Sequence, residues 1–245
     1  MFVFHALDHA RAVAGFGGAT NVTDNLIFNQ CRESGDHGPI NSWDRTAYLS
    51  DVLHGEPSYE AAINHVTNNM IIANYGSSQG FDTDDGSSWY NISQNFFFMA
   101  DAWKMDYGGH DSYITGNVVY HGSNDGQNCY NTWPFLPGHG AVYEDNKCVL
   151  PDSDNLGNLF YDCDCPGASH SDPWSPGDDD PEHECGVRFA GNQYFTKDAN
   201  ATVSCSDPSE AWKDWRAHNE PDATLEALPT DDELLDWARA VLRAL

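Results

Sequence analysis

An asparagine-centred repeat constrains the fold of this chain more than any other feature of its sequence. The pattern is Val or Ile, Thr or Ser, any residue, Asn, any residue and an apolar residue. Four copies occur, at 22–27, 66–71, 92–97 and 114–119, with a weaker copy at 189–194. The asparagines of the four copies are separated by 44, 26 and 22 residues. The unit is therefore about 22 to 26 residues long, and the first interval holds either two units or one long insertion.

Each copy of the repeat is typical of a short strand that ends in a bend. β-Branched and aromatic runs are interrupted by Asn, Gly and Asp, and no leucine-rich or paired-helix pattern occurs in any copy. A strand that recurs once per unit can stack on its own copy about 4.8 Å away, which produces a parallel β-helix. Asn tolerates the left-handed backbone of a bend, and its amide can hydrogen-bond to the copies above and below.

With this repeat, the chain resembles the right-handed parallel β-helix proteins, the pectin-lyase-like family, many of which are carbohydrate-active. The resemblance covers about residues 15–125 and 185–200. It implies an all-β, right-handed parallel β-helix, a solenoid with loop-rich insertions, to which the sequence of the tail adds a short C-terminal α-helix. It also implies polysaccharide or another glycan as the partner.

The rest of the chain departs from the repeat. We expect residues 1–205 to form the solenoid, with a disulfide-tied loop region at about 126–184 that is rich in Cys, Pro and Asp. In the tail, 206–245, a capping box formed by Thr230 and Glu233 precedes an apolar pattern with helical spacing. A helix at about 231–245 is therefore predicted to cover an open end of the solenoid, because unpaired strand edges would otherwise be exposed.

The charge of the chain excludes several classes of partner. Its 38 acidic and 11 basic residues give a formal net charge of −27, which repels phosphate backbones and anionic lipid. Nucleic acid binding and membrane insertion are therefore not expected, and no apolar run is long enough for a spanning helix. The first residues do not form a signal peptide. Seven Cys and the sequons at Asn21, Asn91 and Asn200 nevertheless favour an extracellular or cell-surface location, so the chain is interpreted as a possible fragment. The alternative is a cytosolic protein with free thiols.

The candidate catalytic residues follow from the 22-residue step between Asn95 and Asn117. Adding this step to Asp82 gives Lys104, and adding it to Asp84 gives Asp106. Asp82 and Asp84 are two residues apart on one strand, so they share a face, with Lys104 and Asp106 one strand spacing away. Such a patch shifts pKa values and supplies acid–base chemistry. The structural alternative is an ion pair between Asp82 and Lys104, with the other two carboxylates in water.

Two chemistries fit these residues. Glycoside hydrolysis needs two carboxyl groups. Strand geometry brings Asp84 and Asp106 near the carboxyl spacing of retaining enzymes. It brings Asp82 and Asp84 near the lower limit of the carboxyl spacing of inverting enzymes. The alternative is a calcium-dependent polysaccharide lyase. It is implied by resemblance to β-helical pectate lyases, with Asp82, Asp84 and Asp85 holding calcium and Lys104 as the base. The negative charge of the protein favours a neutral glycan over a polyuronate, and hence hydrolysis without a cofactor.

A polar segment at 34–45 is the candidate substrate-binding wall. It combines hydrogen-bonding groups with an aromatic ring, and the residues assigned to substrate are His37, Asn41, Trp43 and Arg45. No phosphate-binding loop, serine-hydrolase elbow or zinc-knuckle spacing occurs. Because fold does not determine function, a non-catalytic glycan-binding or cell-surface structural protein remains a further alternative.

Overall fold

A computed structural model describes the fold of the chain. The residues that it describes are 3–4, 13–14, 18–30, 38–43, 63–73, 80–84, 86–100, 103–105, 109–121, 129–132, 141–159, 187–204 and 210–243. Within them the chain is mostly β-strand, arranged in three sheets whose neighbouring strands come from successive coils. Neighbouring strands pair in parallel, except β20 (Thr202–Ser204) and β21 (Glu210–Ala211) at one end, which are antiparallel. This arrangement is the predicted parallel β-helix.

Each of the three sheets runs along the solenoid. Sheet A consists of β1 (Val3–Phe4), β4 (Leu26–Phe28), β7 (Met70–Ile72), β10 (Phe96–Phe98), β13 (Val118–Tyr120), β16 (Lys147–Leu150), β19 (Gln193–Thr196) and β22 (Thr224–Ala227). Sheet B consists of β2 (Val13–Ala14), β5 (Ile40–Trp43), β8 (Phe81–Asp84), β11 (Trp103–Met105), β14 (Tyr130–Thr132), β17 (Asn155–Leu159), β20 (Thr202–Ser204) and β21 (Glu210–Ala211). Sheet C consists of β3 (Asn21–Thr23), β6 (Asn64–Thr67), β9 (Tyr90–Ser93), β12 (Ser112–Thr115), β15 (Ala141–Glu144) and β18 (Val187–Ala190).

A ladder of buried asparagines joins the coils at the bend between sheets C and A. Each asparagine except the last, Asn192, donates both its backbone N–H and its side-chain Nδ2 to Oδ1 of the asparagine in the next coil, at 2.9–3.1 Å. From the second member onward, Nδ2 also donates to a backbone carbonyl of the preceding coil at 2.8 Å. Buried amides are thereby satisfied by one another. The members are Asn25, Asn69, Asn95, Asn117, Asn146 and Asn192.

The ladder resolves the alternatives that the repeat left open. Asn25 donates directly to Asn69, so the first interval is one coil with a long insertion rather than two coils. Asn146 is a member although its flanking residues, Tyr143 to Cys148, lack the Val or Ile and the Thr or Ser of the pattern. The weak copy around Asn192 is confirmed.

The left-handed backbone of each bend lies one residue earlier than predicted. The ladder asparagines themselves do not have positive φ. The residues before them do, with φ between 54° and 62°, and they are Asp24, Asn68, Gln94, Gly116, Asp145 and Gly191. These are mainly the short polar residues and glycines that adopt this conformation at little cost. The asparagine is therefore retained for its amide, and its neighbour provides the turn.

The core is formed by the inward side chains of the three sheets. Alternation along the short strands sends every second side chain inward, so most strands contribute one or two apolar side chains to the core. The column from sheet C, for example, contains Val22, Val66, Ile92, Ile114, Tyr143 and Phe189. Later coils are filled by aromatic rings: the Tyr130 ring lies 4.9 Å from that of Phe189 and 6.0 Å from that of Tyr143. A Cβ at Gly157 would lie 2.0 Å from the Tyr130 ring, so this position needs glycine.

A short helix closes the C-terminal end of the solenoid. Helix α1 (Trp212–Asn219) places Trp215 in the core, where it is fully buried with its ring 5.3 Å from Phe189. Glu220 follows directly and takes the place of the next ladder asparagine. Its Oε1 accepts the N–H of Asn192 at 2.9 Å and Nδ2 of Asn192 at 2.6 Å. Sheet A also continues beyond the boundary predicted at residue 205, because β22 pairs with β19.

The C-terminal helix, α2 (Asp231–Arg243), begins at the predicted capping box. Thr230 N–H donates to Glu233 at 2.8 Å, and Glu233 N–H donates to Thr230 Oγ1 at 3.3 Å. The predicted role of α2 as an end cap is wrong, because its apolar side packs on the outer face of sheet A. Trp237, Ala238 and Val241 cover an apolar cluster formed by Met70, Phe96 and Val118. In the part of the chain that the structure describes, neither helix has the length and apolarity needed to cross a bilayer.

A disulfide joins Cys129 to Cys148 inside the solenoid. Both residues are buried, and Cys148 is the inward residue of β16. The bond therefore ties the start of β14 to the adjacent sheet within the core. The other five cysteines of the chain and most of residues 126–184 lie outside the described residues. Where this region is described, it forms the solenoid strands β14 to β17 rather than the predicted loops.

Candidate functional site

The described members of the predicted catalytic set, Asp82, Asp84 and Lys104, lie on the outer face of sheet B. Ile40, Phe81 and Trp103, one from each of β5, β8 and β11, point into the core. The next residue of each strand points the opposite way, so the outer face carries Asn41, Asp82 and Lys104. The strand register places these three side by side, with Asn41 opposite Asp82 and Asp82 opposite Lys104. The 22-residue step therefore correctly predicted that Asp82 and Lys104 stack.

Lys104 joins the two described carboxylates of this site. Its Nζ lies 2.8 Å from Asp82 Oδ1 and 2.9 Å from Asp84 Oδ1. Because both oxygens contact one nitrogen, the two Oδ1 atoms are at most about 5.7 Å apart. The ammonium group bridges the two carboxylates.

The two carboxylates differ in environment. The side chain of Asp82 is fully buried, whereas that of Asp84 is 22% exposed. Burial raises the pKa of Asp82, and this effect exceeds the opposing influence of the positive charge on Lys104; the negative charge of Asp84 raises the pKa further. Asn41 stabilises the charged form by donating from Nδ2 to Asp82 Oδ2 at 3.0 Å. The site thus contains one carboxyl group that binds a proton more readily and one that a ligand can reach.

Buried hydroxyl groups under β8 fix the turn that follows Asp84. Ser87 Oγ donates to the backbone carbonyl of Asp84 at 2.8 Å and to Ser42 Oγ at 3.0 Å. Ser42 also hydrogen-bonds to the Tyr90 hydroxyl. The sequence analysis did not identify these inward polar residues as part of the site. The serines that follow Gly86 were the available signal, since polar residues directly after a carboxylate cluster are typical of a hydrogen-bonded turn.

Several predicted site residues lie outside the described part of the chain. They are Asp106, His37, Arg45 and Asp85. Trp43 pairs with Asp84 in the strand register, and its side chain is not described. Of the predicted substrate-binding residues, Asn41 is the one whose side chain is placed, beside Asp82. Asn41 Oδ1 is buried and has no hydrogen-bond partner among the described residues.

The predicted calcium alternative stays a prediction, because Asp85, one of its three ligands, lies outside the described residues. Nζ of Lys104 lies between the side chains of Asp82 and Asp84, in the position that a cation bridging the two carboxylates would take. Among the described residues, no group of three or more His, Cys, Asp or Glu is arranged to hold a metal ion. A metal at this site would need to compete with a fixed internal ammonium group.

A separate surface cleft of about 280 Å³ lies where the turns after β16 and β19 meet. Its lining is mainly polar and acidic, and it is formed by Pro151, Asp152, Ser153, Asp154, Thr196, Lys197, Asp198 and Asn200. It shares no residue with the patch around Lys104. The cleft and the patch are therefore distinct parts of the surface.

Comparisons of this chain with protein-family models, with curated proteins and with solved structures found no match. The arrangement of Asn41, Asp82, Asp84 and Lys104 is therefore interpreted from its own chemistry.

Proposed function

We propose that this protein acts on a polysaccharide and hydrolyses glycosidic bonds at Asp82 and Asp84. The observation that supports this proposal is the pair of carboxylates on the outer face of sheet B, which Lys104 bridges so that their Oδ1 atoms are at most about 5.7 Å apart. Retaining glycosidases use two carboxyl groups about 5–5.5 Å apart, one as acid and one as nucleophile. The resemblance to pectin-lyase-like proteins, which rests on the repeat, agrees with a polysaccharide substrate.

The different environments assign the two roles. Asp82, whose pKa is raised by burial, is the group that carries a proton to the leaving glycosidic oxygen. Asp84 is partly exposed and attacks the anomeric carbon, forming a covalent glycosyl ester as the bond to the leaving oxygen breaks. Water then attacks the same carbon, gives its proton to Asp82 and releases Asp84. Retention of configuration at the anomeric carbon is the expected outcome.

The substrate class follows from charge and from the position of Lys104. A protein with net charge −27 attracts a neutral glycan more readily than a polyuronate. Two carboxylate contacts stabilise the positive form of Lys104, whereas a lyase base must be neutral to accept a proton. Both arguments favour hydrolysis over calcium-dependent elimination. The disulfide between Cys129 and Cys148 supports action in an extracellular or cell-surface environment.

A non-catalytic glycan-binding protein is the second candidate, and one observation favours it. Asp82 is fully buried and its charge is already compensated by Lys104, so it is less accessible than the acid of a working site usually is. In this case the patch would hold β5, β8 and β11 in register, and glycan would bind without being cleaved.

The decisive experiment measures reducing ends released from neutral and acidic polysaccharides, with and without calcium. We expect wild-type protein to cleave a neutral glycan, and the substitutions Asp82→Asn and Asp84→Asn each to lower the rate by about 10²–10⁴-fold. Asp236→Asn is the matched control, because Asp236 is an exposed carboxylate paired with Arg239 at 2.9 Å, and it should leave the rate unchanged. An ultraviolet-absorbing product that needs calcium would refute hydrolysis in favour of elimination. Glycan binding without any product would favour the second candidate.

A further inference from the structure

The outer face of sheet C is uncharged along its first four strands. Its outward side chains form two rows that run across β3, β6, β9 and β12. One row contains the hydroxyl side chains Thr23, Thr67, Ser93 and Thr115, and the other contains Asn21, His65, Asn91 and Tyr113. None of these residues is Asp, Glu, Lys or Arg, on a chain that has 38 acidic residues. We call this surface the hydroxyl face.

Charged residues surround the hydroxyl face rather than interrupt it. Asp24 and Asp111 stand in the bends on either side. Further along sheet C, outward charge returns with Glu144 and Arg188, which pair with each other at 3.0 Å. Repulsion of anions by the rest of the surface does not act on a neutral ligand that lies along these two rows. The face is therefore suited to a neutral and polar partner.

The polar groups of the hydroxyl face are available to a ligand. Within the described part of the chain, no hydrogen bond engages the hydroxyl groups of Thr23, Thr67, Ser93 and Thr115. No described helix or strand packs on them, since α2 covers sheet A. The Tyr113 side chain is 48% exposed, which leaves an aromatic ring at one end of the face. Hydroxyl and amide groups beside an exposed ring are the side chains that hydrogen-bond to sugar hydroxyls and pack against sugar rings.

The spacing of the rows suits a polymer. Register pairing puts a hydroxyl group at every strand, about 4.8 Å apart, along the axis of the solenoid. The second row is two residues away on each strand, at about 7 Å. A chain of repeating units can therefore contact equivalent groups on successive coils, and its contacts add along its length.

We propose that the hydroxyl face binds a neutral polysaccharide strand, as a surface separate from the patch around Lys104 on sheet B. This inference rests on the proposed function, since it assigns the same class of ligand. It adds that attachment to the polymer and cleavage of the polymer occur on different sheets.

The test measures adsorption to insoluble cellulose and to immobilised xylan and β-1,3-glucan, with polygalacturonate as the acidic comparison. Protein made in a bacterial host keeps Asn21 and Asn91 unmodified. We expect the wild type to bind a neutral glycan, and the combined substitutions Thr67→Val, Tyr113→Ala and Thr115→Val to weaken binding at least tenfold. Val replaces Thr with little change of shape and keeps the strand propensity. Thr202→Val, an outward position on sheet B, is the matched control and should bind like the wild type.

The outcomes separate this inference from the proposed function. Asp84→Asn should lower the cleavage rate by about 10²–10⁴-fold and leave adsorption unchanged. The triple variant should adsorb at least tenfold more weakly and still cleave a short soluble oligosaccharide. Adsorption of the triple variant at wild-type strength would overturn the inference. So would the absence of wild-type binding to every neutral glycan. A wild-type dimer in sedimentation that the triple variant converts to monomer would also overturn it, by showing that a second copy covers this face.

Discussion

Replacement of Glu220 by Gln should remove much of the pH dependence of the stability of this protein. Glu220 is fully buried at the end of the asparagine ladder, where Oε1 accepts two hydrogen bonds from Asn192. Oε2 accepts the Tyr194 hydroxyl at 2.8 Å. Burial raises the pKa of Glu220 from 4.5 to about 7, against the opposing effect of these hydrogen bonds, and the charge of Asp222 adds to the increase.

The sign of the effect follows from linkage between protonation and folding. A carboxyl group with a raised pKa in the folded state holds its proton more tightly there than in the unfolded chain. Its contribution to stability is fully present below about pH 4.5 and is lost as the pH rises through about 7. With about 1.4 kcal/mol for each pKa unit, the free energy of unfolding should fall by roughly 2–3 kcal/mol between pH 5 and pH 8 on account of this residue.

Glutamine is a close mimic of the protonated acid at this position. Its carbonyl oxygen can accept both Asn192 donors, and its amide can donate to Tyr194 Oη. We therefore expect Glu220→Gln to be about as stable as the wild type at pH 5 and more stable by roughly 2 kcal/mol at pH 8. Urea unfolding monitored by tryptophan fluorescence across this range measures the difference.

The control is Glu226→Gln, which changes an exposed glutamate on the neighbouring strand β22. Its stability profile should run parallel to that of the wild type, because other titrating groups, including the eleven histidines, are common to both proteins. Equal pH profiles for Glu220→Gln and the wild type would refute the reasoning. They would show that the pKa of Glu220 is not raised in the folded protein.

Two further predictions concern the asparagine ladder and helix α2. Asn95→Ala removes the acceptor of two Asn69 donors and the donor to the Val66 carbonyl. Urea unfolding should therefore show that the free energy of unfolding falls by at least about 3 kcal/mol, against less than about 0.5 kcal/mol for the outward control Asn91→Ala. A similar small loss for both variants would contradict the ladder. Trp237→Ala should lower the free energy of unfolding by about 2–3 kcal/mol and increase binding of an apolar fluorescent dye, because it uncovers sheet A. Leu235 is half-exposed, so Leu235→Ala should do neither. Equal effects of the two substitutions would show that α2 does not pack on sheet A.

Much of the candidate site could be predicted because a solenoid converts a sequence interval into a distance. The 22-residue step located Lys104 opposite Asp82 without any structural information, and the register confirms this. The contact between Lys104 and Asp84 was not predicted, since it is diagonal and depends on the reach of a flexible side chain. The full burial of Asp82 could not be predicted either, because burial depends on groups far away in sequence.

The sequence by itself determined the solenoid, because one local pattern repeated in each coil specifies a strand, a bend and an inward side chain. It also determined the start of the C-terminal helix, since a capping box involves only four neighbouring residues. Only the tertiary structure decided that the first 44-residue interval is a single coil, that Glu220 ends the ladder and that α2 lies on sheet A. The physical reason is that these features depend on contacts between segments distant in sequence. The length of an insertion does not determine which strand the following segment pairs with.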